Sequence, residues 1–159
     1  MASLKYIVLL TLAVLCGTNF CHGTQCKLVF HDCGSKEGTL NSALFNGTCS
    51  SEGHALLKQG TTVSIEFNFQ AAKTETKLTS KVAGKIGELP FVPFPLGNPD
   101  ACKDSGLTCP VPANTNVNYQ PVLEILKSYP KVNVIVKWQL QNAEGVDVFC
   151  AVIPASITD

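Results

Sequence analysis

Cysteine is the residue type best placed to do chemistry in this chain, at Cys16, Cys21, Cys26, Cys33, Cys49, Cys102, Cys109 and Cys150. A thiolate can attack a substrate or hold a metal, and His31 and His54 could in principle join it. The spacing argues against a metal: no C-x-x-C pair occurs, and the two histidines show no ligand-like pairing. Asp32 with Glu37, and Asp100 with Asp104, could meet, but carboxylates near turns are ordinarily solvated. His31 and Asp32 are adjacent, so on a strand they point to opposite faces and make no acid–base dyad. There is no G-x-S-x-G elbow, H-E-x-x-H helix or phosphate-cradling glycine loop. The expectation is a chain with no catalytic residue, no metal and no cofactor.

The N-terminus changes the meaning of the cysteines. Lys5 supplies a positive charge, Tyr6 to Leu15 is an uncharged apolar run, and Cys21-His22-Gly23 offers small residues at the −3 and −1 positions. That order predicts a secretory signal peptide over residues 1–23, with an apolar run too short to span a bilayer. The expected mature domain is residues 24–159, about 136 residues and enough for one domain with a core. Cys16 and Cys21 leave with the leader. The remaining six, an even number in a secreted domain, read as three disulfides, with 15 connectivities open to counting alone. No free thiol is then left as a nucleophile. Asn46-Gly47-Thr48 is an acceptor for N-glycosylation in an expected surface turn.

Charge excludes another class. Without Lys5 the chain has 11 lysines against 12 carboxylates, and it contains no arginine. Arginine is the usual bidentate reader of phosphates and guanine edges, and the lysines form no basic run, so nucleic acid is not an expected partner.

The elements that position these residues show a period of two. Val63, Ile65, Phe67 and Phe69 alternate with polar residues. Leu78, Val82 and Ile86 share one parity, and Val132, Val134, Val136, Trp138 and Leu140 share another. Val146 to Ile153 is apolar on both parities and predicts a strand buried on both faces. Lys27 to His31 and Thr39 to Phe45 are shorter strand candidates. Turn signals at Asn46-Gly47, Gln59-Gly60, Gly97-Asn98-Pro99 and Ala143-Glu144-Gly145 separate the runs. Only Val122 to Lys127, bounded by Pro121 and Pro130, offers a short turn of helix. Six or seven short strands predict an all-β sandwich of two sheets. One segment breaks the alternation: Leu89 to Pro99 carries four prolines with Phe91 and Phe94. It cannot be a central strand, because proline lacks the donor, so it must be an extended edge or loop with stiffly held rings.

Several blocks, in order, resemble one family. They are Asp32-Cys33-Gly34-Ser35, Val92-Pro93-Phe94-Pro95, Pro99-Asp100-Ala101-Cys102-Lys103 leading to Cys109-Pro110, Tyr129-Pro130, Lys137-Trp138-Gln139-Leu140-Gln141, and Phe149-Cys150 with Ile153-Pro154. Over Cys26 to Ile157 the chain is similar to the Niemann-Pick type C2 proteins of the ML lipid-recognition domain family, in particular its arthropod members. The resemblance implies an immunoglobulin-like sandwich of about seven strands with an apolar ligand cavity between its sheets, and disulfides Cys33–Cys150 and Cys102–Cys109. The family usually carries a close cysteine pair after the second strand. Only Cys49 stands here, so its expected partner is the unmatched Cys26.

The resemblance also implies the ligand residues. Phe94 and Val92 come from the proline-rich segment, Ile125 and Tyr129 stand at the tunnel mouth, Trp138 lies on an inner strand, and Phe67 completes the set. Ala151 occupies the position after the last cysteine where sterol carriers often place a bulky aromatic, so it should widen or reshape the pocket. The implied function is a monomeric carrier of a sterol or fatty-acid-like lipid, secreted or in the endolysosomal lumen, which hands its cargo to a membrane sterol-transport protein. Extracellular carriage of fatty acids or semiochemicals, innate recognition of microbial lipid, and a plain interaction domain with a filled core stand as alternatives.

Overall fold

The structure, a computed structural model, describes residues 25–159. The expected leader at residues 1–23 lies outside the described residues. All the regular structure among the described residues is β. In the first sheet β1 (Cys26–Lys27) pairs with β3 (Gly38–Phe45), and β3 pairs with β6 (Thr61–Ala71). The far flank of β6 takes β9 (Asn116–Tyr119) and β10 (Val122–Ile125) end to end. The second sheet runs β4 (Thr48–Cys49), β5 (Ala55–Lys58), β12 (Asp147–Thr158), β11 (Asn133–Gln141), β7 (Thr79–Lys85) and β8 (Val92–Phe94), and β2 (His31–Asp32) also pairs with β12. With β9 and β10 taken as one strand broken at Pro121, the strands of four or more residues among the described residues number seven.

The alternation in the sequence became the inner faces. Val63, Ile65, Phe67 and Phe69 are all buried on β6, as are Val82 on β7 and Trp138 and Leu140 on β11. Each large apolar side chain removed from water in this way contributes roughly 1.5–3 kcal/mol. β12 is buried on both parities from Val148 to Ala151. Its outward parity is covered by residues 33–38: Cys33 bridges Cys150, and Gly38 lies so near Val148 that a Cβ there would stand 2.8 Å from Val148 Cγ1. Pro154 sits where the flank of β12 passes from β2 to β5, between the two ladders.

Two expectations are corrected. Val122 to Lys127 is not a helical turn: Val122–Ile125 is strand β10, antiparallel to Thr61–Ser64. The edge of β6 supplies backbone partners, and burial alternates between Leu123 and Ile125 (in) and Val122 and Glu124 (out). Lys27 to His31 is not one strand either. The chain crosses between sheets here, so β1 belongs to the first and β2 to the second.

The proline-rich segment is an edge, as its composition requires. β8 is the last strand of its sheet, and only Val92–Phe94 pairs, against Val82–Gly84. The structure joins Cys26 to Cys49, Cys33 to Cys150, and Cys102 to Cys109. Asn46 stands exposed in the β3–β4 turn, with Oδ1 accepting the Ser64 N–H at 2.7 Å and the amide nitrogen free of that bond.

Candidate ligand site

β8 and β10 end their respective sheets, and residues from both line one cavity of about 80 Å³. Its walls are wholly apolar and include Val82, Leu123, Ile125 and Val136, with Phe94 and Tyr129 toward the outside. Beyond those two rings lies an open cleft of about 700 Å³. Leu96, Gly97 and Asn98 form one wall of the cleft, Pro121 to Glu124 the other, and Tyr119 its inner limit. Phe94, Leu123 and Tyr129 line both spaces and so divide them.

The dividing pair is built by the backbone on either side. Phe94 pairs with Val82 in the β7–β8 ladder and sits between Pro93 and Pro95, whose rings restrict the chain. Tyr129 belongs to the loop after β10. Its N–H donates to Leu126 O at 3.2 Å, and its carbonyl accepts from the Gln59 side chain in the β5–β6 turn. The two rings meet edge to face, with centroids 5.8 Å apart and planes at 69°. Such a pair is worth about 0.5–1.5 kcal/mol beyond its buried area.

The cleft has a sign. Two carboxylates, Asp104 and Glu124, line it, and no lysine does. A neutral head group suits it better than an anionic one.

Of the residues expected to bind ligand, Phe94, Ile125 and Tyr129 come together at the cavity. Val92 pairs with cavity-lining Gly84, but its own side chain is 63% exposed at the rim and lines neither space. Phe67, Trp138 and Ala151 are fully buried one level deeper. There Phe67 packs on Trp138 (5.1 Å) and on Phe149 (5.4 Å), so this end of the core is filled. Ala151, cross-strand from Trp138, lines neither the cavity nor the cleft. Val82, Gly84, Leu123, Val134 and Val136 also line the cavity and had not been singled out. The parity of Val82, Val134 and Val136 marked them as inward, but nothing in their spacing showed which level of the sandwich stays open.

At the inner end a polar trio interrupts the apolar core. Ser80 Oγ and Tyr119 Oη are 2.6 Å apart, and Trp138 Nε1 donates to Ser80 Oγ at 3.3 Å. All three residues are at least 97% buried. Burial pushes the Tyr119 phenol up to about 12, against the opposing hydrogen bond to Ser80, so it stays neutral at any physiological pH.

Residues 27–157 match the family model described as the ML domain. The chain is a member of the ML domain family. Among relatives of this ML domain, the NPC intracellular cholesterol transporter 2 homolog a of Drosophila melanogaster is 44% identical over 130 residues, covering 82% of this chain and 87% of the relative. The ecdysteroid-regulated 16 kDa protein of Manduca sexta is 44% identical over 128 residues, covering 80% and 87%. The mouse NPC intracellular cholesterol transporter 2 is 31% identical over 131 residues, covering 82% and 85%. A crystal structure of a Niemann-Pick type C2 protein from Japanese carpenter ant superposes with a TM-score of 0.76 at 26% identity, covering 82% of this chain and 99% of that one. The match to that structure agrees with the all-β sandwich described above.

Proposed function

We propose that this ML domain is a secreted carrier that shelters a neutral apolar lipid, a sterol or sterol-like molecule, between its two sheets and moves it without chemical change. The observation that carries the reading is the wholly apolar cavity separated from an open cleft by one pair of aromatic rings. Small-molecule sites usually span 300–1,000 Å³, so the inner cavity of about 80 Å³ cannot hold such a guest while shut. Swinging Phe94 and Tyr129 aside joins it to the cleft and brings the space into that range. Phe67, Trp138 and Ala151 then back the innermost layer of the site as filled core, and Val92 is the lip the guest passes.

Burial supplies the affinity. Covering ~400 Å² of apolar lipid surface at ~25 cal/mol/Å² gives a gross driving force of about 10 kcal/mol. Loss of ligand freedom offsets several kcal/mol of this, leaving affinity on the order of micromolar or tighter. Asp104 and Glu124 at the cleft favour a sterol over a fatty-acid anion. The names of the fly and mouse relatives point to cholesterol transport and support the same cargo class. On this reading the mature chain begins near Thr24, can carry a glycan on Asn46, acts outside the cell or in the endolysosomal lumen, and passes its lipid to a membrane sterol-transport protein.

The test is extraction of native cargo. Protein purified from culture medium without detergent should yield sterol by mass spectrometry and should take up sterol on titration after delipidation. Protein that is consistently lipid-free and takes up no sterol overturns the proposal. Saturable fatty-acid binding with no sterol binding transfers it to the extracellular carrier reading.

A further inference from the structure

Three lysines that are scattered along the sequence converge on the outer face of the second sheet. Lys81 and Lys85 point outward from β7, on the parity opposite to buried Ser80 and Val82. Lys137 is the cross-strand partner of Ala83, the residue midway between them, so β11 sets its side chain in the gap. Four residues along a strand is about 13 Å and the neighbouring strand is about 5 Å away, which makes the three a zigzag of positive charge. Among the described residues the ion pairs are Lys73–Glu37, Lys103–Asp100, Lys131–Asp159 and His54–Glu52, so none of the three lysines has a carboxylate partner there. Asp147, beyond Gln139 on the same sheet, is occupied by the amides of Gln139 and Gln141 at 2.8 Å each.

The lysines flank a groove rather than a flat surface. It measures about 350 Å³, and Lys81, Lys137, Gln139, Phe91 and Pro93 are among its walls. A lysine ammonium is ordinarily mobile on its flexible four-carbon stem. Here the Phe91 ring gathers two of them, with Lys137 Nζ 4.8 Å and Lys85 Nζ 5.9 Å from its centroid. The negative face of the ring attracts both ammonium groups and offsets their mutual repulsion, so they are partly ordered before any partner arrives. The charges stand too far apart for one carboxylate or phosphate to meet all three. An anionic membrane is flat and does not enter a groove in which Lys85 and Lys137 are half-buried. An extended polypeptide does fit: its side chains on one face recur every ~7 Å, so three alternate carboxylates span the distance from Lys81 to Lys85.

We infer that this groove docks an acidic segment of a partner polypeptide, laid along β7 with alternate carboxylates toward Lys81, Lys137 and Lys85, and that Phe91 is the positioning residue for two of those lysines. The groove wall includes Phe94, which also lines the cavity, so a docked partner stands beside the cavity mouth. The inference adds a surface to the carrier reading and does not depend on which lipid the cavity takes.

The test uses a fluorescent peptide in which three glutamates alternate with serines. At low ionic strength, anisotropy should show saturable binding about ten- to a hundredfold tighter than for the same peptide with glutamine in place of glutamate, the product of three exposed ion pairs. A peptide of equal charge with its glutamates consecutive should bind about threefold or more weakly, because its carboxylates do not share one face. Lys81→Gln and Lys137→Gln should each weaken binding about two- to fivefold and Phe91→Leu about two- to threefold, while Phe91→Tyr, which keeps the ring face, binds as wild type. Lys27→Gln and Lys77→Gln, which remove the same charge from exposed positions elsewhere, should have no comparable effect. Absence of saturable binding, equal binding of the alternating and consecutive peptides, or equal loss from the control lysines overturns the inference. So does binding to phosphatidylserine vesicles that the groove variants abolish while no peptide binds, which assigns the face to a membrane. Fluorescent-sterol titration on the same preparations reads the carrier proposal separately, and an unchanged melting temperature shows that the variants are folded.

Discussion

Gly84 offers a perturbation whose two effects carry opposite signs. It lies on β7 opposite Val136, on the inward parity, and lines the cavity. Its φ is not positive, and a Cβ built there meets only Val134 Cγ2, at 3.4 Å, an ordinary contact. Gly84→Val therefore places methyl groups into open space on a strand, where a β-branched residue is favoured. Filling all of an 80 Å³ cavity at ~24 cal/mol/Å³ would contribute about 2 kcal/mol, and valine fills part of it. Removing the flexibility that glycine gives the unfolded chain adds ~0.4–1 kcal/mol. Some crowding against Val134 subtracts from this, so the expected gain is about 1–2 kcal/mol. At ~4 °C per kcal/mol for a domain of this size, Tm rises by about 4–8 °C. The same methyls deny a guest ~60 Å² of apolar contact, about 1.5 kcal/mol, so sterol affinity should fall roughly tenfold. Thermal unfolding followed by circular dichroism, with fluorescent-sterol titration on the same preparation, reads both. A stabilised variant with unchanged affinity would show that no guest uses this space. A destabilised one would show that the space is not there to fill. Misfolding cannot imitate a higher Tm with weaker binding.

Other outcomes follow from the same geometry. Phe94→Ala removes one half of the dividing ring pair and should speed lipid release about tenfold with Tm lowered by only a few degrees, as seen in stopped-flow transfer to vesicles; an unchanged release rate excludes Phe94 as a gate. Glu75 is 5% exposed with Oε1 unpartnered, faces Glu37, Glu144, Lys73 and Asn142, and has its carboxyl held above the ordinary 4.5, chiefly by burial. Because the fold favours its protonated form, its stabilisation is full below pH 4.5 and is lost as pH rises through the raised value. Glu75→Gln should therefore flatten the decline in Tm from pH 4.5 to 7.5, and an identical slope in the variant refutes this. Asp32, held low by Ser35, acts in the other direction and only below its ordinary 3.8. Replacing Cys33 and Cys150 by serine opens a closure of 117 residues and should cost about 5 kcal/mol in chemical denaturation, against about 2.5 for Cys102 and Cys109, which are seven apart. Equal losses would refute the loop-entropy ranking.

The strands that were legible in advance were those whose two faces meet different surroundings. Val63 to Phe69 and Val134 to Leu140 alternate because one side faces the opposite sheet and the other faces water. Val122 to Lys127 was misread because six residues satisfy a helical and a two-residue period almost equally, and only the open edge of β6 decides between them. Lys27 to His31 was misread because a change of sheet leaves no periodic mark. For the site, proline and aromatic composition pointed to the segment that holds Phe94, whereas Tyr129 and Ile125 were implied only by the family resemblance. Val92 shares that composition but ends at the rim, since β8 is too short to carry it under cover.

The sequence by itself determined the class of molecule. Period-two alternation requires facing sheets, and four prolines in eleven residues require an edge. These are properties of single residues and near neighbours, so they can be read along the chain. The tertiary structure decided where the sandwich stays open and where it is sealed. Whether Phe67 and Trp138 line a space or fill it depends on how two sheets from distant segments stack, and here they pack against each other. The same stacking brings Ser80, Tyr119 and Trp138, which lie up to 58 residues apart, into one hydrogen-bonded group.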